Sequence, residues 1–458
     1  MRKLSELPSP ATCGLLGHVS YLKKDNVHQQ MLAWRNECGP LYRLRVGAKF
    51  ALAVTDVEII KTILKARPDE FRRISNIESV FDEVGMNGVF SSEGERWKYQ
   101  REIVEQAFLP NHLKGFHASM QAITGRLQQR FDALANGSEQ VFLVDEFKRY
   151  TVDITSLLAF GEDVNVIERG ENSLSASLRE IFPVISQRCR SPFPLWRFCK
   201  TAQDKAFDVG LSNIKQHIEG FIAHQRQRLR DNTALASAPE NTMQVMLQMQ
   251  NKEGRLTDKD VIANAVTLLL AGEDTTANTL AWMVYLICQR PDVENKLVLE
   301  LAQCTGLADE PLTWPIPKMP WLTAIMYEAM RLKPVAPQLY LEPLHDTVVG
   351  DVWVKKGTPL FLTLHAGGFD ARYFKEPGQF FPERWVARDG ASFSNMLPFG
   401  GGSRMCPGRA LAIAEIKMAM HALYGRYRVT ALQHPEAVRE RFAFTVSPEH
   451  FKVVIGRR

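Results

Sequence analysis

Cysteine is scarce in this sequence of 458 residues. Its seven cysteines form no C-x-x-C pair, and their odd number and wide spacing argue against a disulfide framework and against an iron–sulfur domain. Such usage is typical of a reducing compartment. The cysteines are Cys13, Cys38, Cys189, Cys199, Cys288, Cys304 and Cys406.

Long apolar runs are missing from the start of the chain. No run within residues 1–25 approaches the roughly 20 residues that a membrane span needs. The apolar region of a secretory signal peptide is missing too. We therefore expect a cytoplasmic protein without a transmembrane anchor, which leaves room for peripheral membrane contact.

No charge of one sign dominates. Lysine and arginine total 56 and aspartate and glutamate 51, for a net charge of +5, and no basic block stands out. This balance disfavours nucleic-acid binding and indicates a mixed, solvated surface. A mildly basic patch for an acidic electron-donor protein is the alternative.

Internal repeats and low-complexity tracts are also absent, and no change of composition divides the chain. We therefore expect one domain over residues 1–458, mainly α-helical with small β-sheets. Apolar residues recur at the helical period over 113–134 and 213–230. The polar stretch 231–242 predicts a loop.

Strand patterns are few and short. Residues 41–46 and 50–54, separated by 47–49, predict a hairpin near the start of the chain. The other strand-rich regions are 348–364, with a turn at 355–357, and 441–454.

One long helix is predicted at residues 260–288. It is apolar enough to be buried, yet residues 271–276 at its centre read A-G-E-D-T-T. Glycine followed by two acids and two β-branched residues is a poor helix centre. Buried carboxylates are costly unless they are paired or used. The helix therefore either reaches the surface midway or carries chemistry there.

A glycine-rich loop carries the strongest signal. Residues 399–408 read F-G-G-G-S-R-M-C-P-G and precede a helical stretch at 410–424. Glycines let the backbone pass close to a flat ligand, and N–H groups at a helix start favour the thiolate of Cys406. A lone cysteine is more often a small buried hydrophobe. The surrounding pattern favours a thiolate that binds a metal or acts as a nucleophile.

This segment fits F-x-x-G-x-R-x-C-x-G at every fixed position and resembles the haem-binding signature of the cytochrome P-450 family. The resemblance covers residues 8–454 and implies the fold of that family, with haem b (iron protoporphyrin IX) between the long helix and the cysteine loop. It implies Cys406 as the thiolate ligand of the iron. The residues it implies along the cofactor are Trp97, Arg101, Ala271, Phe399, Arg404 and Gly408.

Two further motifs match the family in order. Glu328 and Arg331 form its E-x-x-R, which the family pairs with Arg384 of the P-E-R-W segment in a buried network. Trp97 and Arg101 resemble its W-x-x-x-R, where both would donate from one helix face to a haem propionate, with the loop arginine as a third donor. Taken alone, E-x-x-R is typical of a surface ion pair and the tryptophan of core packing.

The centre of the long helix resembles the oxygen-binding groove of the family. In this interpretation Gly272 opens the helix for dioxygen, and Asp274 and Thr275 form the acid–alcohol pair that delivers protons through water. The resemblance therefore implies a monooxygenase that uses O2 and inserts one oxygen atom into its substrate.

No flavin, dinucleotide or iron–sulfur segment follows the cysteine loop. We therefore expect a monomer that takes electrons from a separate ferredoxin- or flavodoxin-type donor and its reductase, docking near that loop. The resemblance places a lid at 181–198 and an apolar pocket suited to a fatty acid, terpenoid or aromatic metabolite. The pocket residues it implies are Phe90, Leu268, Ala271, Val335, Ala336 and Phe444, each of which could equally be ordinary core.

Two other functions stay open at this point. A peroxide-driven hydroxylase or isomerase would share the scaffold but usually lacks the acid–threonine pair, and a haem-based sensor commonly carries an output domain. The chain also departs from the family. No arginine follows the E-x-x-R helix where relatives place a propionate ligand; His345 is a candidate substitute or a solvated loop residue. Phe369 stands where an arginine is frequent.

Overall fold

A computed structural model describes residues 1–12, 14, 16–137, 139–171, 173–191, 194–236, 239–253, 256–304, 311–386 and 393–458. Helices dominate this part of the chain, as the sequence predicted. The α-helices are α1 (Val19–Leu22), α2 (Val27–Cys38), α3 (Val57–Lys65), α4 (Ser75–Glu83), α5 (Gly94–Gln106), α6 (Pro110–Gly137), α7 (Leu143–Phe160), α8 (Val166–Arg169), α9 (Ser173–Arg190), α10 (Ala202–Asp231), α11 (Thr242–Glu253), α12 (Asp258–Ile287), α13 (Pro291–Cys304), α14 (Pro320–Leu332), α15 (Glu383–Val386) and α16 (Arg409–Tyr424).

Short strands form small sheets beside these helices. The described strands are β1 (Arg2–Lys3), β2 (Leu41–Val46), β3 (Lys49–Val54), β4 (Phe71–Arg73), β5 (Val141–Phe142), β6 (Gln338–Pro343), β7 (Thr347–Val349), β8 (Val352–Val354), β9 (Leu360–Thr363), β10 (Tyr427–Ala431), β11 (Arg439–Phe442), β12 (Val446–Glu449) and β13 (Lys452–Arg457). Their sheets have the orders β2-β3-β9-β6-β4, β1-β8-β7, β10-β13-β5 and β11-β12.

The predicted hairpin forms between β2 and β3. Val46 pairs with Lys49, so Lys49 belongs to the second strand and the turn holds only two residues. Gly47 takes the left-handed conformation there, with φ +62°. The single alternating segment predicted over 441–454 is split among separate strands. β11 and β12 pair with each other, while β13 pairs with β10 and β5.

The long predicted helix is α12, and it runs without interruption through residues 271–276. Thr257 caps its start by accepting the Asp260 N–H, and the Asp260 carboxylate accepts the Thr257 N–H in return. Most of its side chains are buried. Packing on all sides therefore holds the poor helix formers at its centre in helical conformation.

Two large apolar clusters share α12. One joins it to α6, α7, α13, α14 and α16 and includes Leu280 and Leu423. The other joins it to α9, α10 and α11 and includes Leu269 and Ile218. Because apolar burial is the main stabilising term in folding, this shared helix is firmly placed, and its centre is a suitable position for catalytic groups.

Several sequence predictions fall partly outside the described residues. These are Cys13, residues 237–238 of the predicted loop and residues 192–193 of the predicted lid. The remaining six cysteines are free thiols. Across the described ranges, every helix is too short or too polar to cross a membrane.

Candidate active site

Glycine conformations shape the cysteine loop. Gly402 has φ +67°, and a Cβ there would lie 2.0 Å from the Leu64 carbonyl oxygen, so only glycine fits. The Cys406 N–H donates to the Phe399 carbonyl at 3.0 Å. A Cβ on Gly408 would stand 4.0 Å from the Cys406 Sγ. Three predicted residues, Phe399, Cys406 and Gly408, thus meet at the start of α16.

Opposing effects act on the Cys406 thiol. The thiol is accessible, yet desolvation by the surrounding protein raises its pKa. The Gly408 N–H and the charges of Arg101 and Arg409 lower it, and the net pKa is raised. The Gly408 N–H at the helix start favours the thiolate, as the sequence predicted, but desolvation outweighs it in the free thiol. A thiolate here needs a cation at the sulfur, which fits a metal ion held by Cys406.

The centre of α12 opens on one face only. Ala271 is exposed and Thr275 is half-buried, whereas Leu270 and Asp274 beside them are buried. Residues four apart share a helix face, and the Thr275 hydroxyl donates to the Ala271 carbonyl at 2.7 Å. The helix therefore presents a small residue and a hydroxyl together, where the sequence predicted a groove.

Gly272 faces the neighbouring helix. A Cβ at this position would lie 2.4 Å from the Oγ1 of Thr155 in α7. The structure thus accounts for Gly272 by the close approach of α7 and α12, and its predicted role in dioxygen binding stays a prediction.

Two adjacent carboxyl groups share a cation from α7. Asp274 Oδ1 lies 2.7 Å from Lys148 Nζ, and Glu273 is buried beside it. Burial and the Asp274 charge raise the pKa of Glu273. Although burial lowers it, the pKa of Lys148 is raised overall by Asp274 and Glu273. Sequence reasoning missed Lys148, since nothing in its own surroundings along the chain marks it.

Trp97 and Arg404 pack against each other. The Arg404 guanidinium lies 4.4 Å from the centroid of the Trp97 ring. Its Nη1 donates to Glu93 Oε1 at 2.9 Å, and its Nη2 donates to the Ser92 carbonyl. Burial is the main cause that lowers the pKa of Arg404 to about 9. These two predicted residues therefore lie together beside the cysteine loop.

Arg101 holds the backbone of the loop. Its Nη2 donates to the Met405 carbonyl at 2.7 Å and its Nε to Glu105 Oε1 at 2.6 Å. The sequence predicted a donor to a ligand carboxylate; in this structure Arg101 is engaged with protein acceptors next to Cys406.

The predicted buried network forms around Glu328. Arg331 donates to both of its carboxylate oxygens, at 2.7 and 2.9 Å, and Arg384 donates to Oε1 at 3.1 Å. Trp385 Nε1 adds a donor at 2.9 Å, which the sequence did not single out. Arg331 also donates to the carbonyls of Gly368, Pro377 and Gln379.

The predicted pocket residues divide into two groups. Phe90, Leu268 and Phe444 belong to one apolar cluster, with the Phe90 and Phe444 ring centroids 5.7 Å apart. Val335 packs against a different cluster, and Ala336 is exposed. The structure therefore supports an aromatic wall at Phe90 and Phe444. The pocket roles of Val335 and Ala336 stay predictions.

Other residues emerge from the structure alone. Glu415 of α16 is fully enclosed, and burial raises its pKa to about 8 despite a hydrogen bond from Thr276 of α12. His345 is exposed, which favours the solvated loop residue over the propionate substitute. Arg35 and Arg372 pair with Asp370 at 2.5 and 2.7 Å, beside Phe369.

Comparison with known proteins gives one consistent family. The family model described as Cytochrome P450 matches residues 7–455. The chain is 27% identical to cytochrome P450 monooxygenase sphH of Aspergillus fumigatus, over 97% of this chain and 87% of that protein. It is 25% identical to cytochrome P450 27C1 of Aquarana catesbeiana, over 93% and 82%.

A further relative is bifunctional. The chain is 24% identical to bifunctional cytochrome P450/NADPH–P450 reductase 2 of Bacillus subtilis, over 100% of this chain and 43% of that protein. The range matched by the family model contains both the cysteine loop and the centre of α12.

Proposed function

The chain belongs to the cytochrome P450 family, whose members are haem-thiolate monooxygenases, and from this membership we propose the class of its substrate and the source of its electrons. We propose that it hydroxylates or epoxidises an apolar small molecule with O2. A separate ferredoxin- or flavodoxin-type donor, served by its own reductase, supplies the electrons. We further propose a monomeric, cytoplasmic protein with one catalytic domain over residues 1–458.

The observation that carries the proposal is the accessible Cys406 thiol, with the Gly408 N–H directed at it from the start of α16. Cys406 would hold the iron of haem b through its thiolate. Bound there, haem iron supplies the activation of O2. The residues that would surround the cofactor are Trp97, Arg101, Ala271, Phe399, Arg404 and Gly408.

Proton delivery would fall to Asp274 and Thr275. A hydroxyl can donate and accept at once, so Thr275 Oγ1 can pass on a proton once its bond to the Ala271 carbonyl is exchanged. The ion pair with Lys148 holds Asp274 at the edge of this groove. Asp274 would replenish the proton through water.

The pocket wall supports an apolar substrate. Phe90, Leu268 and Phe444 offer apolar surface from three separate segments of the chain. The test is a spectral screen of the ferric protein with fatty acids, terpenes and aromatics, with sugars as the polar control. We expect spin-state shifts with apolar compounds only. Shifts that occur with the sugars alone would contradict the proposal.

The acid–alcohol pair also separates the monooxygenase from its alternatives. A peroxide-driven hydroxylase or isomerase has no need of Asp274 beside Thr275, and a haem-based sensor has no need of proton delivery. Turnover with hydrogen peroxide, and none with reduced redox partners, would favour the first alternative.

A further inference from the structure

Three arginines surround a single carboxylate between β4, α5 and the cysteine loop. Glu93 Oε1 lies 2.9 Å from Arg404 Nη1 and 3.5 Å from Arg67 Nη2. It also accepts the backbone N–H of Arg73 at 3.0 Å. The side chains of Arg67, Arg404 and Glu93 are only 2, 5 and 7% exposed. One negative charge therefore faces three positive ones in a largely buried cluster.

The arginines of this cluster disfavour one another. Burial, together with the charges of Arg73 and Arg404, lowers the pKa of Arg67 to about 8. Burial likewise lowers the pKa of Arg73, which Glu93 only partly offsets. The three positive charges exceed the single negative charge of Glu93, and unpaired like charges in a buried position are costly.

Nearby carboxylates are already engaged with other arginines. Glu105 pairs with Arg101 at 2.6 Å, and Glu78 pairs with Arg72. Glu342 lies 3.8 Å from the same Arg72. Glu78 acts on Arg404 only through its charge, which raises the pKa of Arg404, so the surplus of positive charge around Glu93 remains.

The cluster also contains hydrogen-bond donors without acceptors in the described part of the chain. The Nε atoms of Arg67 and Arg404 are buried and find no acceptor within the described part of the chain. The Arg73 Nε donates to the Phe90 carbonyl at 2.7 Å. Its terminal nitrogens meet no acceptor among the residues that the structure describes. Buried donors without partners are rare because they cost free energy.

We propose that Arg73 binds a propionate of the haem together with Arg404, and that Arg67 adds positive charge from behind Glu93. This inference rests on the proposed function. Iron protoporphyrin IX carries two propionates, and their two negative charges match the surplus of the cluster. Arginine suits this task because its planar group pairs with carboxylates through two parallel N–H bonds.

A carboxylate of the substrate is the competing source of the same chemistry. The Arg73 guanidinium lies 4.0 Å from the centroid of the Phe90 ring, which belongs to the proposed pocket wall. The test must therefore report on the cofactor itself, without substrate.

The experiment measures haem transfer from the purified holoenzyme to excess apomyoglobin, and the ferric–ferrous midpoint potential, in Arg73→Gln, Arg73→Lys and Arg72→Gln. Losing a charge-assisted hydrogen bond should speed haem loss about 10-fold in Arg73→Gln. Its potential should fall, because an uncompensated propionate favours ferric iron. Arg73→Lys should recover much of both, and Arg72→Gln, altered on the same strand, should match the unaltered protein.

Two results would overturn the assignment of Arg73. One is a rate of haem loss and a midpoint potential in Arg73→Gln that equal those of the unaltered protein. If that variant also binds carboxylic acids more weakly, Arg73 contacts the substrate and not the cofactor. The other is an equal effect in Arg72→Gln, which would make the change general to β4. A protein that holds no haem in any variant would overturn the proposed function as well.

Discussion

Cys406 and Glu273 show how burial governs the charge of single residues in this protein. The Gly408 N–H and nearby arginines favour the Cys406 thiolate, and Lys148 favours the Glu273 carboxylate, yet burial raises the pKa of both groups. The protein surroundings alone thus favour the neutral form of each group. For Cys406, we propose that the iron of the cofactor supplies the positive charge that favours the thiolate.

Thr275→Ala tests the proton-delivery role at the residue scale. The variant should keep its haem but lose about 10-fold in product formed per electron consumed, with hydrogen peroxide released instead, because positioned proton donors contribute large factors in rate. Product and peroxide are measured against cofactor consumption. Thr279→Ala is the matched control, since its hydroxyl donates to the Thr275 carbonyl one turn further along α12. Unchanged product per electron in Thr275→Ala would refute the role.

At the scale of elements, the contact between α7 and α12 sets the position of the proposed catalytic residues Asp274 and Thr275. Gly272 allows the helices to approach at Thr155, and Lys148 reaches Asp274 across the same contact. A widened contact would therefore disturb both packing and proton delivery.

Gly272→Ala should destabilise the protein by about 1–3 kcal/mol, because the new methyl group has no space beside Thr155. Urea unfolding measures the change. Gly220→Ala is the control: Gly220 lies exposed in α10, a Cβ there would meet no atom within 4 Å, and alanine should stabilise by about 0.5–1 kcal/mol. Equal effects at the two positions would contradict the packing role of Gly272.

Glu328→Gln should cost about 3–5 kcal/mol of unfolding free energy, since two buried arginines lose their counter-charge. Thermal and urea unfolding give the value. Glu58→Gln removes a carboxylate that is 61% exposed and pairs with Lys61, so a change within about 0.5 kcal/mol is expected. A loss as small as that in Glu328→Gln would show that the network contributes little.

Elements with a strong periodic pattern were predictable from the sequence. The hairpin, α6, α10 and α12 form where their patterns place them, and Glu328 meets Arg331 because the two lie three positions apart on one helix. Lys148, Arg67 and Arg73 were missed, because their importance comes from partners on other elements. The desolvation that raises the pKa of the free Cys406 thiol was not predictable, since it is a property of the folded chain.

At the scale of the whole molecule, α12 is shared by two apolar cores, and the buried Glu415 of α16 accepts a hydrogen bond from Thr276 of α12. Burial raises the pKa of Glu415 from 4.5 to about 8. The folded state therefore binds a proton that the unfolded state has released between these pH values. The stabilisation is complete below pH 4.5 and is lost as pH rises towards about 8.

Glu415→Gln should flatten this pH dependence. The unfolding free energy of the unaltered protein should fall by up to about 1.4 kcal/mol per pH unit from this group, and the variant should lose that slope. Urea unfolding at pH 5 and pH 8 compares them, with exposed Glu95→Gln as the control. The same slope in Glu415→Gln would contradict the raised pKa.

The central claim is that the Cys406 thiolate binds haem iron, and the absorption spectrum of the reduced, CO-bound protein tests it most directly. We predict the long-wavelength Soret band of thiolate-ligated haem in the unaltered protein, and its loss in folded Cys406→Ser. A band typical of imidazole ligation in the unaltered protein, or a thiolate band that persists in Cys406→Ser, would contradict the claim.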